Sequence, residues 1–583
     1  MDRGDIIAFS EKGKRKIHKP GFSITPYSLL RQGAHTVKGW KNFGIRPVVI
    51  AGLIPLLFLS LFYFYPLCGI FTRSFFPDGI FEFKVFEKIF SSARIARIIW
   101  FTFWQAGLST LLTMAAALPC AFVMANYHFK GKKIIMGIAT IPFVLPTVVV
   151  ASAFQALAGD RGIIGFIHIE NSLYMILLAH VFYNFSIVLR ITTNFWSYIR
   201  KETAEAGAML GASSVQIFFK ITLPLLKPAL YASSILVFIF CFSSFGVILI
   251  LGGPYFSTIE VEIYRQAAHL FNLPVASLLS LIQILFTFLM MWVYTSLQKR
   301  MAKFSPESES KAMKHAETFQ QKIMVGFCLG FICLLCFLPM AALVVKSLLY
   351  EGSFSFTFYK ELFINSTNSL FYIFPLKAGL NSLVYATATL AMALVVGLCA
   401  SFLIKSAKGK RGALLDSFFM LPLSTSAVTL GFGIIITLDK PPLNLRTSWI
   451  LVPVVHTLVA FPFVVRSVLP ALSSIPESLR DAALMLGASN FRVWFHVDLP
   501  IIARAVTAGA LFAFTISLGE FGATIFTARP EFSTLPVAIY RFLGQPGIMN
   551  YGQAMAVSSL LMLVTAAGFL VIENIRTMGN QVF

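Results

Sequence analysis

Charge is scarce in this sequence. Only 12% of its 583 residues are charged, where a soluble domain carries about a quarter. That shortage, with 57% hydrophobic residues and a mean hydropathy of +0.79, excludes an ordinary soluble globule. No GxxxxGK[ST] loop is present, so the chain is not expected to hydrolyse ATP by itself. The nearest approach, AKGKRG from Ala407 to Gly412, lacks both the spacing and the hydroxyl that holds magnesium. No HExxH pattern or Ser/His/Asp set appears, and the nine histidines are scattered, which argues against a membrane enzyme. The basic start lacks the short apolar core of a cleaved signal, so no processing is expected. Seven cysteines all lie in or beside apolar runs. The pair Cys333 and Cys336, near Cys328, sits in a continuous hydrophobic stretch and reads as packing rather than metal or redox chemistry.

What the sequence has instead is apolar runs. PVVIAGLIPLLFLSLFYFYPLCGIF, Pro47 to Phe71, carries no charge and can cross a hydrocarbon core of about 30 Å as a helix. About twelve such spans are expected, near 48–70, 98–125, 134–158, 173–190, 229–252, 274–297, 322–346, 378–405, 414–437, 449–466, 505–528 and 551–575. The fold class is an all-α membrane protein. A formal charge of +22 would suggest nucleic acid in a soluble chain, but here Lys and Arg cluster between spans, as in cytoplasmic loops. The basic start (Lys12, Lys14, Arg15, Lys16, Lys19, Arg31, Lys38, Lys41 and Arg46) is read as a cytoplasmic segment, 1–46, resting on anionic lipid. No nucleic-acid partner is expected.

The chain repeats itself. EAGAMLGASSVQIFFKITLP from Glu205 returns as DAALMLGASNFRVWFHVDLP from Asp481, an offset of 276. The same offset pairs Gly211 with Gly487, Pro224 with Pro500, His180 with His456, Arg190 with Arg466, and FSTIEVEIYR from Phe256 with FSTLPVAIYR from Phe532. Two halves follow, 47–297 and 322–583, joined by a polar cytoplasmic linker, 298–321. Six spans per half is an even number, so the repeats are parallel and both passages face one compartment. Arg200, Lys201, Lys220 and Lys227 around the first, and Arg466, Arg480, Arg492 and Arg504 around the second, make that compartment the cytoplasm, along with both chain termini.

Within each passage (202–230 and 477–506) the expected elements are an Ala- and Met-rich helix, a turn at Gly211 that a Cβ would resist, and a second short helix. Ala212 or Ser213 would cap it, Val215, Phe218 and Phe219 would form an apolar face, and Pro224 would stop or kink it before the next span. Exposed apolar residues on a rigid element imply a partner, and two copies imply a partner of twofold symmetry.

At these residues the sequence resembles the coupling motif of permeases in binding-protein-dependent ABC importers. Glu205, Ala206, Gly211, Ile221, Leu223 and Pro224 match, with Gly207 in place of a second Ala; Ala482, Ala483, Gly487, Leu499 and Pro500 match, with Asp481 for Glu and Val497 for Ile. The resemblance spans nearly everything beyond the first ~45 residues, and implies the type I importer permease fold in a bacterial inner membrane. It also implies two copies of a cytoplasmic ABC ATPase docked on the two passages, with ATP and magnesium used there and no cofactor on this chain, and an extracytoplasmic solute-binding protein. Among fused two-copy members, FTFWQAGLSTLL, LLAHVFYN and FCFSSFGVILILGG look most like the thiamine branch. SLGEFGATIFTARPEFSTLPVAIYRFLGQPG is equally at home in the ferric-iron branch, the alternative solute class.

An ion-driven secondary transporter would want more intramembrane carboxylates. One stands out, Glu520, whose repeat partner is Ser244. Phe245-Gly246 and Phe521-Gly522 are candidate helix breaks that could build a solute path with Ser244 and Glu520. His180 and His456 read as helix-packing residues rather than metal ligands.

Overall fold

The computed structural model describes residues 45–76, 86–87, 91–199, 201–304, 314–364, 374–407, 409–439 and 444–579. The basic residues Lys12 to Lys41 and residues 305–313 of the 298–321 linker lie outside them. In the first half the chain forms α1 (Gly52–Phe75), α2 (Ala93–Asn126), the bent pair α3 (Lys132–Val144) and α4 (Thr147–Ala158), α5 (Leu173–Ser197), a short α6 (Lys201–Met209), α7 (Ser214–Phe242), two short helices α8 (Gly246–Leu251) and α9 (Ile259–Tyr264), and α10 (Leu273–Gln298). The second half repeats the order with α11 (Phe319–Leu348), α12 (Pro375–Ser406), α13 (Lys410–Phe419), α14 (Ala427–Thr437), α15 (Leu451–Ser474), α16 (Glu477–Met485), α17 (Asn490–Gly519), α18 (Thr524–Thr527), α19 (Leu535–Leu543) and α20 (Ile548–Ile575).

Ten helices among the described residues are long and apolar enough to cross a bilayer. The expected twelve become ten because one span per half is broken. The α3–α4 pair turns by 102° at Leu145-Pro146, where proline cannot continue the ladder. Its counterpart 414–437 divides at the Leu421–Ser424 turn, which contains Pro422, into α13 and α14. Each half is therefore five long helices and one broken unit.

The first helix of each half reaches across to the other half while keeping contact with the last helix of its own. The α1 segment packs on α12 and α14, with Tyr63 Oη 2.8 Å from Thr425 Oγ1 and Phe64 stacked on Phe418. Reciprocally, α11 packs on α2 and α4 of the first half. The buried cores follow this reach across: Phe58, Leu59 and Tyr63 belong with the second half's residues, and Val325, Ile332 and Leu343 with the first half's.

Both repeated passages stand at one end of the molecule. Near the first, Trp196 at the end of α5 lies between Phe122 of α2 and Phe218 of α7. Just beyond α2, Tyr127 pairs through its backbone with Lys314, so α11 starts from this end. That helix runs about 45 Å away at 1.5 Å per residue; α12 returns, and its Phe402 meets Trp494 of the second passage edge-on, ring centroids 4.5 Å apart.

Candidate functional site

The two passages share a backbone. Gly211 and Gly487 have φ of +82° and +83°, a left-handed conformation that glycine adopts without a Cβ penalty. In each copy two hydrogen bonds close the helix end: Gly211 N–H donates to Ala208 O and Ala212 N–H to Gly207 O, while Gly487 N–H donates to Leu484 O and Ala488 N–H to Ala483 O. This double closure satisfies carbonyls that would otherwise be orphaned and holds the tip rigid. The next helix starts at once. Ser213 Oγ accepts from Gln216 N–H while Gln216 Oε1 accepts from Ser213 N–H, a reciprocal cap; Ser489 Oγ accepts from Arg492 N–H.

That second element is not separate, which corrects one expectation. Pro224 does not stop it: α7 runs unbroken from Ser214 into the apolar span, and α17 does the same from Asn490. The helix widens by one residue just before each proline, with Leu223 N–H donating to Phe218 O and Leu499 N–H to Trp494 O. Such a widened turn absorbs the donor a proline lacks. Each passage is thus a lever, a short capped helix on the root of a long span.

Its exposed surface is apolar and repeats in register. Met209 and Leu210 are 89% and 88% exposed, and Met485 and Leu486 both 89%. Val215 and Phe219, with their repeat partners Phe491 and Phe495, are exposed as well. Met and Leu read in sequence as ordinary helix formers, which hides the tip; their place just before a left-handed glycine is the available signal. Phe218, expected on the outer face, packs inward on Trp196 instead. Glu205, Ala206, Asp481 and Ala482 are exposed, and Pro224 and Pro500 are exposed at the roots. Inside the bend, Gly207 is buried against Ile221. Leu223, Val497 and Leu499 are half-buried. Among the described residues only the second lever carries an internal ion pair, Arg480 Nε to Asp498 Oδ1 at 2.7 Å; the repeat partners are Ala204 and Thr222.

The second grouping is a cavity of about 300 Å³ between the halves. It forms where α7 ends at Phe242 and α17 at Gly519. Ser244, Phe245 and Gly246 line it from one side, and Glu520, Phe521 and Gly522 from the other. Phe245 and Phe521, repeat partners, stack with ring centroids 5.5 Å apart. Glu520 Oε1 accepts from Ala523 N–H at 2.9 Å, so this carboxylate both caps the break and lines the space. A second lining carboxylate, Glu260 of α9, escaped the sequence reading. Its oxygens accept from Gln283 Nε2 at 2.8 Å and from Ser426 Oγ at 2.6 Å.

Two histidines brace the breaks. His180 lies between Ser109 and Ser244, 2.9 Å from each hydroxyl; His456 lies between Ser517 and Thr524, 2.7 Å from each. With both ring nitrogens engaged by hydroxyls they act as struts. Among the described residues no group of three His, Cys, Asp or Glu comes together as a metal site. Cys333 and Cys336 face different surroundings, one exposed and one buried.

Residues 117–303 and 393–577 each match the family described as binding-protein-dependent transport system inner membrane component. The chain is 24% identical over 533 residues to the thiamine transport system permease protein of Haemophilus influenzae, covering 89% of this chain and 95% of that protein. It is 26% identical over 468 residues to the corresponding protein of Brucella abortus, with 77% and 82% covered. It is also 24% identical over 549 residues to the ferric transport system permease protein of Actinobacillus pleuropneumoniae, with 89% and 77% covered. The chain belongs to this family, twice over: it is a multi-pass inner-membrane permease subunit of an ABC importer, built from two fused copies.

Proposed function

We propose that this permease subunit carries thiamine, or a thiamine phosphate, into the cytoplasm, driven by an ATPase that is a separate protein. The duplicated lever carries the reading: two capped tips of like backbone with exposed Met-Leu pairs at one end of the molecule. A rigid apolar tip on a soluble face calls for a partner, and a related pair calls for a dimer. Two ATPase copies would each seat one tip, Met209-Leu210 or Met485-Leu486, with Glu205, Ala206, Asp481 and Ala482 around it. Gly211 and Gly487 set the tip angle, and Gly207, Ile221, Leu223 and Pro224, like Ala483, Val497, Leu499 and Pro500, join tip to root. The basic residues flanking both levers support a cytoplasmic position, with both termini on the same side.

Because α6 and α16 stand on the roots of α7 and α17 without a flexible joint, displacement of a tip is carried up those helices to the breaks at Phe245 and Phe521. Closure of the ATPase pair would draw the levers together and part the halves on the far side, where a binding protein delivers solute. Hydrolysis at the ATPase, which holds the ATP and magnesium, would reset them. This chain would bind no cofactor of its own.

Thiamine is favoured over iron by the aromatic lining of the cavity together with the thiamine permeases of Haemophilus and Brucella among the relatives. The Actinobacillus relative supports ferric iron as the second reading. Uptake of radiolabelled thiamine and of ferric iron, in cells deleted for and then complemented with this chain, decides between them. Thiamine uptake restored without iron uptake is the expected result; the reverse would assign iron.

A further inference from the structure

Resting on the thiamine reading, we infer that the cavity between the helix breaks is a solute site in its own right, selective for a small organic cation with a flat aromatic face. Its chemistry points that way from three directions. The lining includes two carboxylates, Glu260 and Glu520, and no Lys or Arg; neither has an ion-pair partner among the described residues. A carboxylate held at a helix break inside the membrane, with no counter-charge, is costly and favours a cation beside it. The walls are aromatic: Tyr183, Phe240 and Phe512 join the stacked Phe245 and Phe521, and ring faces attract organic cations.

The third direction is an unused acceptor. Asn184 lines the cavity and is 1% exposed. Its amide nitrogen donates to His180 O at 3.0 Å and contacts Cys241 Sγ, but its Oδ1 is buried without a partner. Buried acceptors are ordinarily satisfied; this one is closed off from the cavity in the structure, so a ligand's N–H reaches it once the Asn184 side chain turns toward the space it lines. About 300 Å³ is the small end of ligand pockets, enough for one compact molecule with one or two rings.

The two halves contribute unequally. Glu520 has Ser244 as its repeat partner, and Glu260 has Pro536. A duplication that kept the levers alike has given each half a different carboxylate on the cavity, Glu520 at a break and Glu260 in α9, which suits an asymmetric solute rather than a pore for any cargo. Selection would then occur twice, first in the binding protein and again here.

The test uses the full chain with its ATPase in lipid nanodiscs, without binding protein, and equilibrium dialysis of radiolabelled thiamine. The competitor is 3-deazathiamine, a neutral isostere in which a thiophene replaces the charged ring. Saturable thiamine binding is expected, about tenfold or more tighter than the isostere. E520Q keeps an oxygen for Ala523 N–H, so the break persists; it should lose that preference for the cation while binding the isostere unchanged. Asn184→Leu should weaken both ligands. Equal affinity for cation and isostere, or an unaltered preference in E520Q, overturns the inference. If cells still take up thiamine while the nanodiscs bind none, the cavity inference falls and the thiamine reading stands. If N-methylpyridinium binds in a Glu520-dependent way and thiamine does not, the cation site stands and the thiamine reading falls.

Discussion

A Cβ on Gly207 would stand 2.7 Å from the Cδ1 methyl of Ile221, inside any allowed contact. The repeat partners of these residues are Ala483 and Val497. Where the first lever has the smaller residue its partner is longer by one methyl, and where the second has the larger residue its partner is shorter. The bend between tip and root is filled in both, by opposite divisions of the same volume.

G207A alone should therefore loosen the first lever. The obstructing atom is the end of a side chain, so the cost is about 1 kcal/mol, within the range for modest overpacking. Adding I221V should restore the wild-type value, and a double-mutant cycle on thermal stability reads the coupling. Additive effects would show that the two side chains do not share this space.

The exposed tips should govern ATPase retention. Met209→Glu with Leu210→Glu, or Met485→Glu with Leu486→Glu, leaves the fold alone because these side chains touch little else. Each double variant should cut co-purification of the ATPase by about tenfold or more, the scale expected when an apolar anchor is lost from an interface. Undiminished co-purification would place the docking surface elsewhere.

Gly211 separates backbone from space. Nothing lies within 4 Å of a Cβ placed there or on Gly487, so substitution acts through φ and through whatever docks. Gly211→Ala should cost about 1 kcal/mol, and Gly211→Asn less, since asparagine tolerates the left-handed region. Thermal unfolding without the ATPase measures this; equal effects would contradict the φ of +82°.

The ion pair in the second lever predicts an asymmetry. Asp498 is 5% exposed, so Arg480→Ala would leave a buried charge unpaired at a cost of about 3 kcal/mol. The first lever has Ala204 and Thr222 at the equivalent positions. ATPase should still bind R480A at its first lever, while ATPase stimulation by loaded binding protein falls. Unchanged stimulation would mean that the pair plays no part in transmission.

Much of this was legible in sequence because it is periodic or duplicated. The levers, the Gly211 and Gly487 turns and the paired breaks at Phe245 and Phe521 all follow from one offset of 276. The broken units were harder to see, since IPFVLPT and MLPLSTS are apolar enough to pass as spans while their prolines divide them. The reach of α1 and α11 across to the opposite half left no trace in hydropathy, because a helix is equally apolar whichever half it packs on. The unbroken run through Pro224 was hidden for a related reason: proline ends helices generally, and only the widened turn before it reveals the exception. Glu260 was passed over because it sits in a short amphipathic stretch whose burial depends on Gln283 and Ser426, far away in sequence.

The central claim is that both levers project from the same side of the membrane. Single cysteines at Met209 and Met485, labelled with a membrane-impermeant maleimide and compared with the unsubstituted chain, test it in one experiment. Both sites should react in inside-out vesicles and stay silent in intact spheroplasts. Labelling of the two sites from opposite sides, or of either from outside the cell, would contradict the account.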